Sequence, residues 1–420
     1  MKLGLRLRSI ALVEQLGPGL VTGAADDDPS GIATYSQAGA QFGFSLLWTM
    51  VLTYPLMCAV QLVSAEIGRV TGSGLAKNMR RLMPRPLVLF LVAALFVANT
   101  INVGADLAAM GAAGQLATGA NGHLLTIVFA LVSLLLQLFV PYQNYARFLK
   151  WLTLVLLAYV AVLFLVHLDF KEVGLGLVWP RVPGRAAVTT IVAIFGTTIS
   201  PYLFFWQSAQ EVEEVVTSEK EEPLIAAPWQ ARRELRRIRL DTLVGMGVSN
   251  LVALAIIIAT AATLHASGSH SIETAADAAK ALEPVAGPFA FILFSLGIVG
   301  TGLLAVPVLA GSTAYAVGEA NGWKCGLEHK PWEAVGFYGV IAFATVIGIG
   351  IDWSSLDPIK ALFWSAVING IVAVPIMAAM MVVVSRHRPM GKFVASPALR
   401  ITGWAATAVM GAAAVAMLFA

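Results

Sequence analysis

The sequence predicts an all-α polytopic membrane protein with one transmembrane domain, and two observations support this fold class. The chain has 420 residues, of which 58% are hydrophobic and only 12% are charged, and its mean hydropathy is +0.80. A soluble protein of this size carries charge on about 25% of its residues. The second observation is that long apolar runs recur along the chain. We therefore expect 1–420 to form a single membrane domain.

Eleven apolar segments are long enough to cross a bilayer, which takes about 20 helical residues. Their predicted ranges are 14–40, 44–70, 86–116, 123–141, 146–168, 187–214, 241–264, 286–316, 333–351, 358–385 and 398–419. Proline and polar residues interrupt the first and the sixth segments, so both helices are predicted to be broken. Glu14 and Pro18 interrupt the apolar run near the start, and we do not expect a secretory signal peptide there.

Positive charge is distributed unevenly over the loops between these segments. If the N-terminus is cytoplasmic, 22 of the 27 lysines and arginines lie on the cytoplasmic side and 5 lie on the external side. Cytoplasmic loops of membrane proteins are enriched in Lys and Arg. The sequence therefore predicts a location in the inner, cytoplasmic membrane, with a cytoplasmic N-terminus and an external C-terminus. Basic residues spread over membrane loops give no reason to expect nucleic-acid binding.

Three consecutive carboxylates, Asp26, Asp27 and Asp28, lie inside the first apolar segment. Charged groups at bilayer depth are costly and usually mark an ion or substrate path. Pro29 removes a backbone donor and Gly31 adds backbone freedom, so we expect the helix to break here. Broken backbone inside a membrane is tolerated only within protein or beside a water-filled cavity. The sequence therefore predicts a cation site at this break, and the alternative is a loop at the outer end of an ordinary helix.

The sixth segment repeats this irregularity, with Thr197, Ser200 and Pro201 in mid-membrane. Five segments separate the two breaks, which predicts two inverted repeats followed by an extra helix. These units are the first repeat 14–168, the second repeat 187–385 and the extra helix 398–419. Interrupted helices at matching positions of inverted repeats indicate a transport site near the midplane. For the proline alone, a simple kink is the alternative.

Further polar residues are candidates for an ion pathway. The third segment carries Asn99, Asn102 and Asp106, which are three and four residues apart and therefore lie on one helix face. A polar face of this kind suits either an ion path or hydrogen bonds between helices. Glu211 lies about 15 Å along a helix from the proline of the sixth segment. We expect it at a solvated cytoplasmic helix end or, alternatively, in a vestibule that attracts cations. Asn369 is expected to be a packing amide rather than a ligand.

The residue types near the two breaks restrict which ions the site can bind. All six histidines are predicted to lie in loops or at helix ends, and both cysteines, Cys58 and Cys325, are predicted to lie away from the breaks. The remaining ligands are carboxylates, hydroxyls and backbone carbonyls, which suit Mg²⁺, Ca²⁺ or Mn²⁺ better than Zn²⁺ or Cu⁺. Without a midplane histidine or a nucleophile–base pair, we expect neither an enzyme nor a cofactor.

Several motifs together resemble the Nramp family of divalent-metal transporters over nearly the whole chain. They are Gly17-Pro18-Gly19, Asp28-Pro29, 39–43 with Leu46-Leu47-Trp48, Ala105-Asp106-Leu107-Ala108, Pro201 and Ala310-Gly311-Ser312-Thr313. The resemblance implies a LeuT-type fold of 11 transmembrane helices, with two inverted repeats of five helices plus one extra helix, and alternating access. The implied partners are the lipid bilayer and a divalent metal ion, and we expect a monomer.

The departures from the family pattern narrow the choice of transported ion that the resemblance implies. The family has Asp-Pro-Gly-Asn in its first helix, and this chain has Gly31 at the asparagine position. Ser200 and Tyr202 flank the proline where the family has Met-Pro-His, so the methionine that selects soft metals and the histidine associated with proton movement are missing. Ala109 replaces a glutamate of the third helix, and paired arginines of the ninth helix have no counterpart in 334–350. These departures resemble the Nramp-related magnesium transporter branch.

The resulting hypothesis is a secondary transporter that moves Mg²⁺, and also Mn²⁺, without proton coupling. The expected metal site comprises Asp28 as the main anionic contact, with Asp26, Asp27, Gly31, Thr197 and Ser200. The expected pathway residues are Asn102, Asp106, Tyr202, Glu211 and Asn369. The alternatives are a proton-coupled Mn²⁺/Fe²⁺ transporter and an organic-cation or amino-acid carrier on the same fold. A triple aspartate would repel the carboxylate of an amino acid, which leaves amines as the better organic substrate.

Overall fold

The computed structural model describes residues 18–140, 152–218, 220–353 and 357–419, and it confirms the all-α prediction for them. The helices are α1 (Pro18–Asp26), α2 (Pro29–Phe42), α3 (Trp48–Thr71), α4 (Leu75–Leu82), α5 (Arg85–Thr118), α6 (Gly122–Phe139), α7 (Leu157–Val162), α8 (Phe170–Val178), α9 (Arg185–Thr198), α10 (Pro201–Thr217), α11 (Ala231–Thr260), α12 (Ala275–Ala279), α13 (Glu283–Ala286), α14 (Ala290–Asn321), α15 (Val335–Asp352), α16 (Pro358–Val384), α17 (His387–Met390) and α18 (Pro397–Phe419). Within these ranges, nine helical stretches are long and apolar enough to cross a membrane.

The first and fifth predicted segments are not among these nine stretches. The first segment is divided into α1 and α2, which have 9 and 14 residues and are each too short to span alone. Of the fifth predicted segment, 146–168, the first residues lie outside the described ranges, and α7 covers only a part of the remainder.

Most of the other predicted boundaries agree with the helices to within a few residues, and the seventh segment differs most. It was predicted to begin at residue 241, but α11 begins at Ala231. The added turns carry arginines and Glu234, which the hydropathy pattern places outside the membrane. Ion pairs made by these residues, described below, explain why this polar stretch is helical and packed.

Both predicted helix breaks are present, and they share one local construction. Asp28 precedes α2 with φ −69° and ψ 168°, and Pro29 is the first residue of that helix. Ser200 precedes α10 with φ −74° and ψ 133°, and Pro201 takes the corresponding position. Proline is favourable at the first helical position because its φ is already helical and the N–H it lacks would have no partner inside the helix. Each proline therefore ends one helix and starts the next.

Small residues let the broken helices approach their neighbours closely. Gly23 of α1 lies against the backbone of Gly245 in α11, and Gly196 of α9 lies against the backbone of Ala366 and Gly370 in α16. An added Cβ at either glycine would overlap backbone atoms, so these crossings depend on glycine. The long helix α5 packs along α14, α15 and α16. This arrangement encloses both breaks inside the helix bundle.

Candidate ion-binding site

Asp28 is the carboxylate held at the first break. Its Oδ1 accepts hydrogen bonds from the backbone N–H of Gly31 (2.7 Å) and from the hydroxyl of Ser30 (2.9 Å). Its Oδ2 accepts a hydrogen bond from Nδ2 of Asn102 on α5 (3.1 Å). An aspartate that caps a helix in this way satisfies an unpaired N–H and interacts favourably with the helix dipole. The buried Asp28 side chain is thus held between the start of α2 and the middle of α5.

Asp26 and Asp27 point to a different neighbour. The hydroxyl of Ser249 on α11 lies 2.8 Å from Oδ2 of Asp26 and 3.0 Å from Oδ1 of Asp27, and both aspartates are buried. A serine hydroxyl has a single proton, so it can donate to only one of the two carboxylates at a time. Sequence reasoning did not identify Ser249. The Ser249-Asn250 pair inside an apolar segment is the signal that could have identified it.

Asp106 is fully buried on α5, one turn after Asn102. Neither of its carboxylate oxygens has a hydrogen-bond partner of normal geometry among the described residues. The backbone N–H of Ser30 faces it, and it lies within electrostatic reach of Asp28. We name Asp26, Asp27, Asp28 and Asp106 the aspartate group. Among the described residues, no ion pair includes a member of the aspartate group.

The second break comes into contact with the first through Thr197. A Cβ added at Gly31 would lie 3.1 Å from Oγ1 of Thr197, so these two predicted site residues are neighbours. Oγ1 of Thr197 is buried and has no hydrogen-bond partner among the described residues. The hydroxyl of Ser200 lies 2.7 Å from the carbonyl oxygen of Gly196 and 2.8 Å from that of Thr197, and it is therefore directed back toward α9.

Two tyrosines each connect a half of one broken helix to a half of the other. Tyr202 on α10 donates its hydroxyl to the carbonyl oxygen of Ala25, 3.1 Å away at the end of α1. Tyr35 on α2 is hydrogen-bonded through its hydroxyl to Oγ1 of Thr198, 3.0 Å away at the end of α9. The last carbonyls of a helix have no partner inside it. Tyr202 satisfies one of those that the first break leaves unpaired.

The polar face predicted on the third segment divides between two roles. Asn102 donates to Asp28, whereas Nδ2 of Asn99 donates to Oγ1 of Thr313 on α14 (2.8 Å). Asn99 therefore forms a hydrogen bond between helices, and Asn102 contacts a predicted site residue. Asn369 on α16 is fully buried, and neither its Nδ2 nor its Oδ1 has a hydrogen-bond partner within the described parts of the chain.

The expectation that Glu211 occupies a solvated helix end is wrong. Its side chain is 0% exposed, and its Oε2 lies 2.7 Å from Nη2 of Arg237. Arg237 also pairs with Glu214 at 2.9 Å and with Glu234 at 3.0 Å. Burial of Glu211 follows from the extension of α11, which brings Arg237 against the end of α10.

Glu211 belongs to a larger set of ion pairs that we name the paired cluster. Its members are Arg69, Glu211, Glu214, Glu221, Arg233, Glu234 and Arg237. Arg69 at the end of α3 is fully buried and pairs with Glu221 at 2.6 Å and with Glu234 at 3.4 Å. The cluster ties the ends of α3 and α10 to the start of α11.

The candidate ligand atoms that the predicted site residues bring to the breaks are oxygen atoms. The histidines of the described chain lie in loops, near helix ends or in the short helix α17. Cys58 is closer than expected, because it lies on α3 within electrostatic reach of Asp26. Within the ranges that the structure covers, no three His, Cys, Asp or Glu side chains converge as a ready-made metal cluster. An ion at this site would therefore combine one or two carboxylates with hydroxyls, backbone carbonyls and water.

Two discontinuous helices that cross beside buried carboxylates are the features of a membrane transporter with the LeuT-type fold. A manganese transporter from Eremococcus coleocola superposes with a TM-score of 0.73 at 17% identity, covering 95% of this chain and 85% of that one. Mhp1, a nucleobase-cation-symport-1 family transporter, superposes with a TM-score of 0.52 at 15% identity, covering 96% of this chain and 92% of that one. These similarities establish the fold.

The family follows from the sequence. Residues 19–420 match the family described as "Nramp: Natural resistance-associated macrophage protein-like", and the chain belongs to this family of membrane transporters, which are not enzymes. A divalent metal cation transporter MntH of Klebsiella pneumoniae (strain 342) is 29% identical over 94% of this chain and 91% of its own length. An MntH of Burkholderia ambifaria is 28% identical over 97% of this chain and 89% of its own length.

Proposed function

We propose that this protein is a secondary transporter that carries a hard divalent cation, Mg²⁺ and also Mn²⁺, across the cytoplasmic membrane. Transport proceeds by alternating access and without proton coupling. Membership of the Nramp family supports metal transport in general, and the relatives from Klebsiella pneumoniae and Burkholderia ambifaria are named as divalent metal cation transporters. The choice of ion and of driving force rests on the residues at the two breaks.

The observation that carries the proposal is the absence of any ion-pair partner for the aspartate group among the described residues. Asp28 is 1% exposed and Asp106 is 0% exposed, yet neither forms an ion pair with a basic side chain of the described residues. Burying carboxylates without a counter-charge costs several kcal/mol each, on the order that a bound cation can offset. A set of acids in this state, at a helix break inside a membrane, is complementary to a divalent cation.

The donor atoms favour a hard ion in particular. The proposed site places the ion against Asp28, with Thr197, Ser200 and backbone carbonyls completing the shell and with Asp26 and Asp27 adding negative charge. Mg²⁺ releases its water reluctantly and is usually bound through one or two carboxylates while several waters remain. Gly31 has no side chain, which lets its backbone lie close to the hydroxyl of Thr197. Ser200 supplies an oxygen where a methionine would supply a sulfur that selects softer ions.

Asp106 favours the second candidate, a proton-coupled Mn²⁺/Fe²⁺ transporter. Its carboxylate is buried near Asp28 without a hydrogen-bond partner of normal geometry in the described chain. A buried carboxyl group of this kind is a group that can carry a proton. We prefer uncoupled transport because Ala109 and Tyr202 replace ionisable residues of the coupled pattern, which leaves Asp106 without a neighbouring relay group.

The proposal also includes the arrangement in the membrane. The first repeat 14–168, the second repeat 187–385 and the extra helix 398–419 rock against each other, with the N-terminus cytoplasmic and the C-terminus external. The excess of Lys and Arg in one set of loops supports this orientation. The protein acts as a monomer, with one ion path per chain.

Uptake of Mg²⁺ and Mn²⁺ into proteoliposomes, with internal pH followed in the same vesicles, tests the proposed function. We expect saturable entry of both ions without internal acidification. Mn²⁺ entry with proton influx and without Mg²⁺ entry would instead establish the proton-coupled candidate. If neither ion enters, the metal assignment is wrong and an organic cation becomes the substrate to test.

Asp28→Asn tests the site without disturbing the helix break. The amide oxygen still caps α2, and rotation of the Asn102 side chain presents its Oδ1, which has no partner in the described structure, to the new amide. We expect uptake to fall by at least about tenfold, equivalent to about 1.4 kcal/mol of ion binding, while thermal stability stays near that of the wild type. Unchanged uptake would place the ion elsewhere.

A further inference from the structure

We propose a second metal site, separate from the aspartate group, that binds a borderline transition-metal ion such as Zn²⁺. Its ligands are Nδ1 of His265, Nδ1 of His270 and the carbonyl oxygen of Ala40. The site lies at the end of α11 that is opposite Arg237, where a π-helical turn, Ala261–His265, continues the helix. Neither histidine has a part in the proposed transport of a hard ion.

The three ligand atoms form a compact triangle. Nδ1 of His265 lies 2.8 Å from the oxygen of Ala40, and Nδ1 of His270 lies 3.4 Å from the same oxygen. The two Nδ1 atoms are 3.2 Å apart. An ion about 1 Å above the plane of such a triangle is about 2.1 Å from each atom, which is the length of a zinc–nitrogen bond. Three ligands in these positions also leave the fourth tetrahedral position open for water.

Local structure holds these ligands in place. Gly43 ends α2 with φ 57°, and the ring of His265 packs beside it, where a Cβ at Gly43 would be 3.2 Å from the ring. Ala40 lies in the last turn of α2, where carbonyl groups have no partner inside the helix. The backbone N–H of Ile272 donates to Oε1 of Gln37 at 3.0 Å, which fixes the loop that carries His270.

The chemistry of this site is distinct from that of the aspartate group. Two neutral imidazoles select zinc, copper, nickel or iron rather than Mg²⁺, whereas carboxylates and water select the harder ions. Without a metal, one Nδ1 must be protonated to donate to the other or to Ala40, and metal binding displaces that proton. His270 is exposed and His265 is partly exposed, so an ion can enter from solvent.

Occupation of the site would restrain transport. The ion would join the end of α2, one half of the first broken helix, to the end of α11 and the loop that follows it. Alternating access requires one group of helices to move relative to the other. We therefore expect bound Zn²⁺ to lower the maximal rate of Mg²⁺ uptake without competing with Mg²⁺ for the aspartate group.

The test measures Zn²⁺ binding by calorimetry to the purified full chain in nanodiscs, with excess Mg²⁺ present to occupy the aspartate group. The variants are His265→Gln and His270→Gln, and the matched control is His387→Gln in α17. We expect one Zn²⁺ to bind the wild type and the control with equal affinity. The affinity should fall at least tenfold in both site variants. Asp28→Asn should retain Zn²⁺ binding.

A transport measurement completes the test. External Zn²⁺ should reduce the maximal Mg²⁺ uptake rate of the wild type and of His387→Gln, and it should have little effect on His270→Gln. Since His270 is exposed, its replacement tests the site without the packing change that His265→Gln introduces beside Gly43. Equal Zn²⁺ affinity in the wild type and in His270→Gln would overturn the proposal. Loss of Zn²⁺ binding in Asp28→Asn alone would place the bound zinc at the aspartate group.

Discussion

The aspartate group is a buried set of acids and the paired cluster is a partly buried one, and the two differ in what balances their charge. In the paired cluster, three arginines contact four glutamates at distances from 2.5 to 3.4 Å. In the aspartate group, the partners within the described structure are neutral groups, among them the backbone N–H of Gly31, the amide of Asn102 and the hydroxyls of Ser30 and Ser249. Within the described structure, arginines balance the negative charge of the paired cluster, and no basic side chain balances that of the aspartate group.

This difference separates a structural role from a binding role. Acids paired with arginines gain Coulombic energy and hydrogen bonds that offset their burial, and removal of one partner is costly because it leaves an unpaired charge. Acids without a base retain the cost of their burial until a cation arrives. We therefore propose that the paired cluster holds α3, α10 and α11 together and that the aspartate group binds the transported ion.

Arg237→Met should have the largest effect on stability, because Arg237 contacts Glu211, Glu214 and Glu234. Leaving these acids without their partner should lower the free energy of unfolding by about 3–5 kcal/mol. Thermal unfolding in detergent measures the loss. Arg236→Met on the exposed side of the same helix is the control and should stay within about 0.5 kcal/mol of the wild type. Equal stability of the two variants would contradict the structural role of the paired cluster.

Ser249→Ala should have an intermediate effect, because it removes the hydroxyl between Asp26 and Asp27. Loss of the only side-chain donor that the described structure gives this pair should cost about 1–3 kcal/mol of stability. Added Mg²⁺ should recover part of the loss if the aspartate group binds it. Ser133→Ala is the matched control, since the Ser133 hydroxyl is buried and has no hydrogen-bond partner among the residues that the structure describes. A stability loss of the same size in Ser133→Ala would contradict the importance of the Ser249 contact.

Asp106→Asn should have the smallest effect on stability and is the sharpest contrast with the paired cluster. It replaces a buried carboxyl group whose oxygens have no partner of normal geometry among the described residues, so stability should stay the same or rise by about 1 kcal/mol. Glu211→Gln, by contrast, should lower stability because Arg237 loses a charged acceptor at 2.7 Å. Thermal unfolding of the two variants side by side makes the comparison. A larger loss of stability in Asp106→Asn than in Glu211→Gln would contradict the view that the charge of the aspartate group is not balanced by the protein.

Much of the fold could be predicted because the bilayer imposes a local rule. A membrane span must be apolar over about 20 residues, and a proline removes a helical hydrogen bond wherever it occurs. Both conditions can be recognised without knowledge of contacts, and the breaks before Pro29 and Pro201 are present as expected. The early start of α11 at Ala231 was missed, because its arginines become helical through partners on other helices.

The candidate site was predictable in part. Asp28, Gly31 and Thr197 were expected together, and the structure places Gly31 beside Thr197 and Asp28 at the cap of the same helix. Their polarity in an apolar background was the signal. Ser249 was missed because a single serine in a span is common, and Glu211 was misplaced because its partner Arg237 lies in a different predicted segment.

The amino-acid order alone was enough to predict the membrane-spanning class, the two helix breaks and the family. These properties depend on hydropathy, on the covalent limits of proline and on motifs of adjacent residues. The packing of the helices established which charges are balanced. Asp106 and Glu211 are both buried acids in helices, yet among the described residues Glu211 contacts an arginine from another helix and Asp106 forms no ion pair. Long-range contacts of this kind depend on how helices approach one another, which no local pattern records.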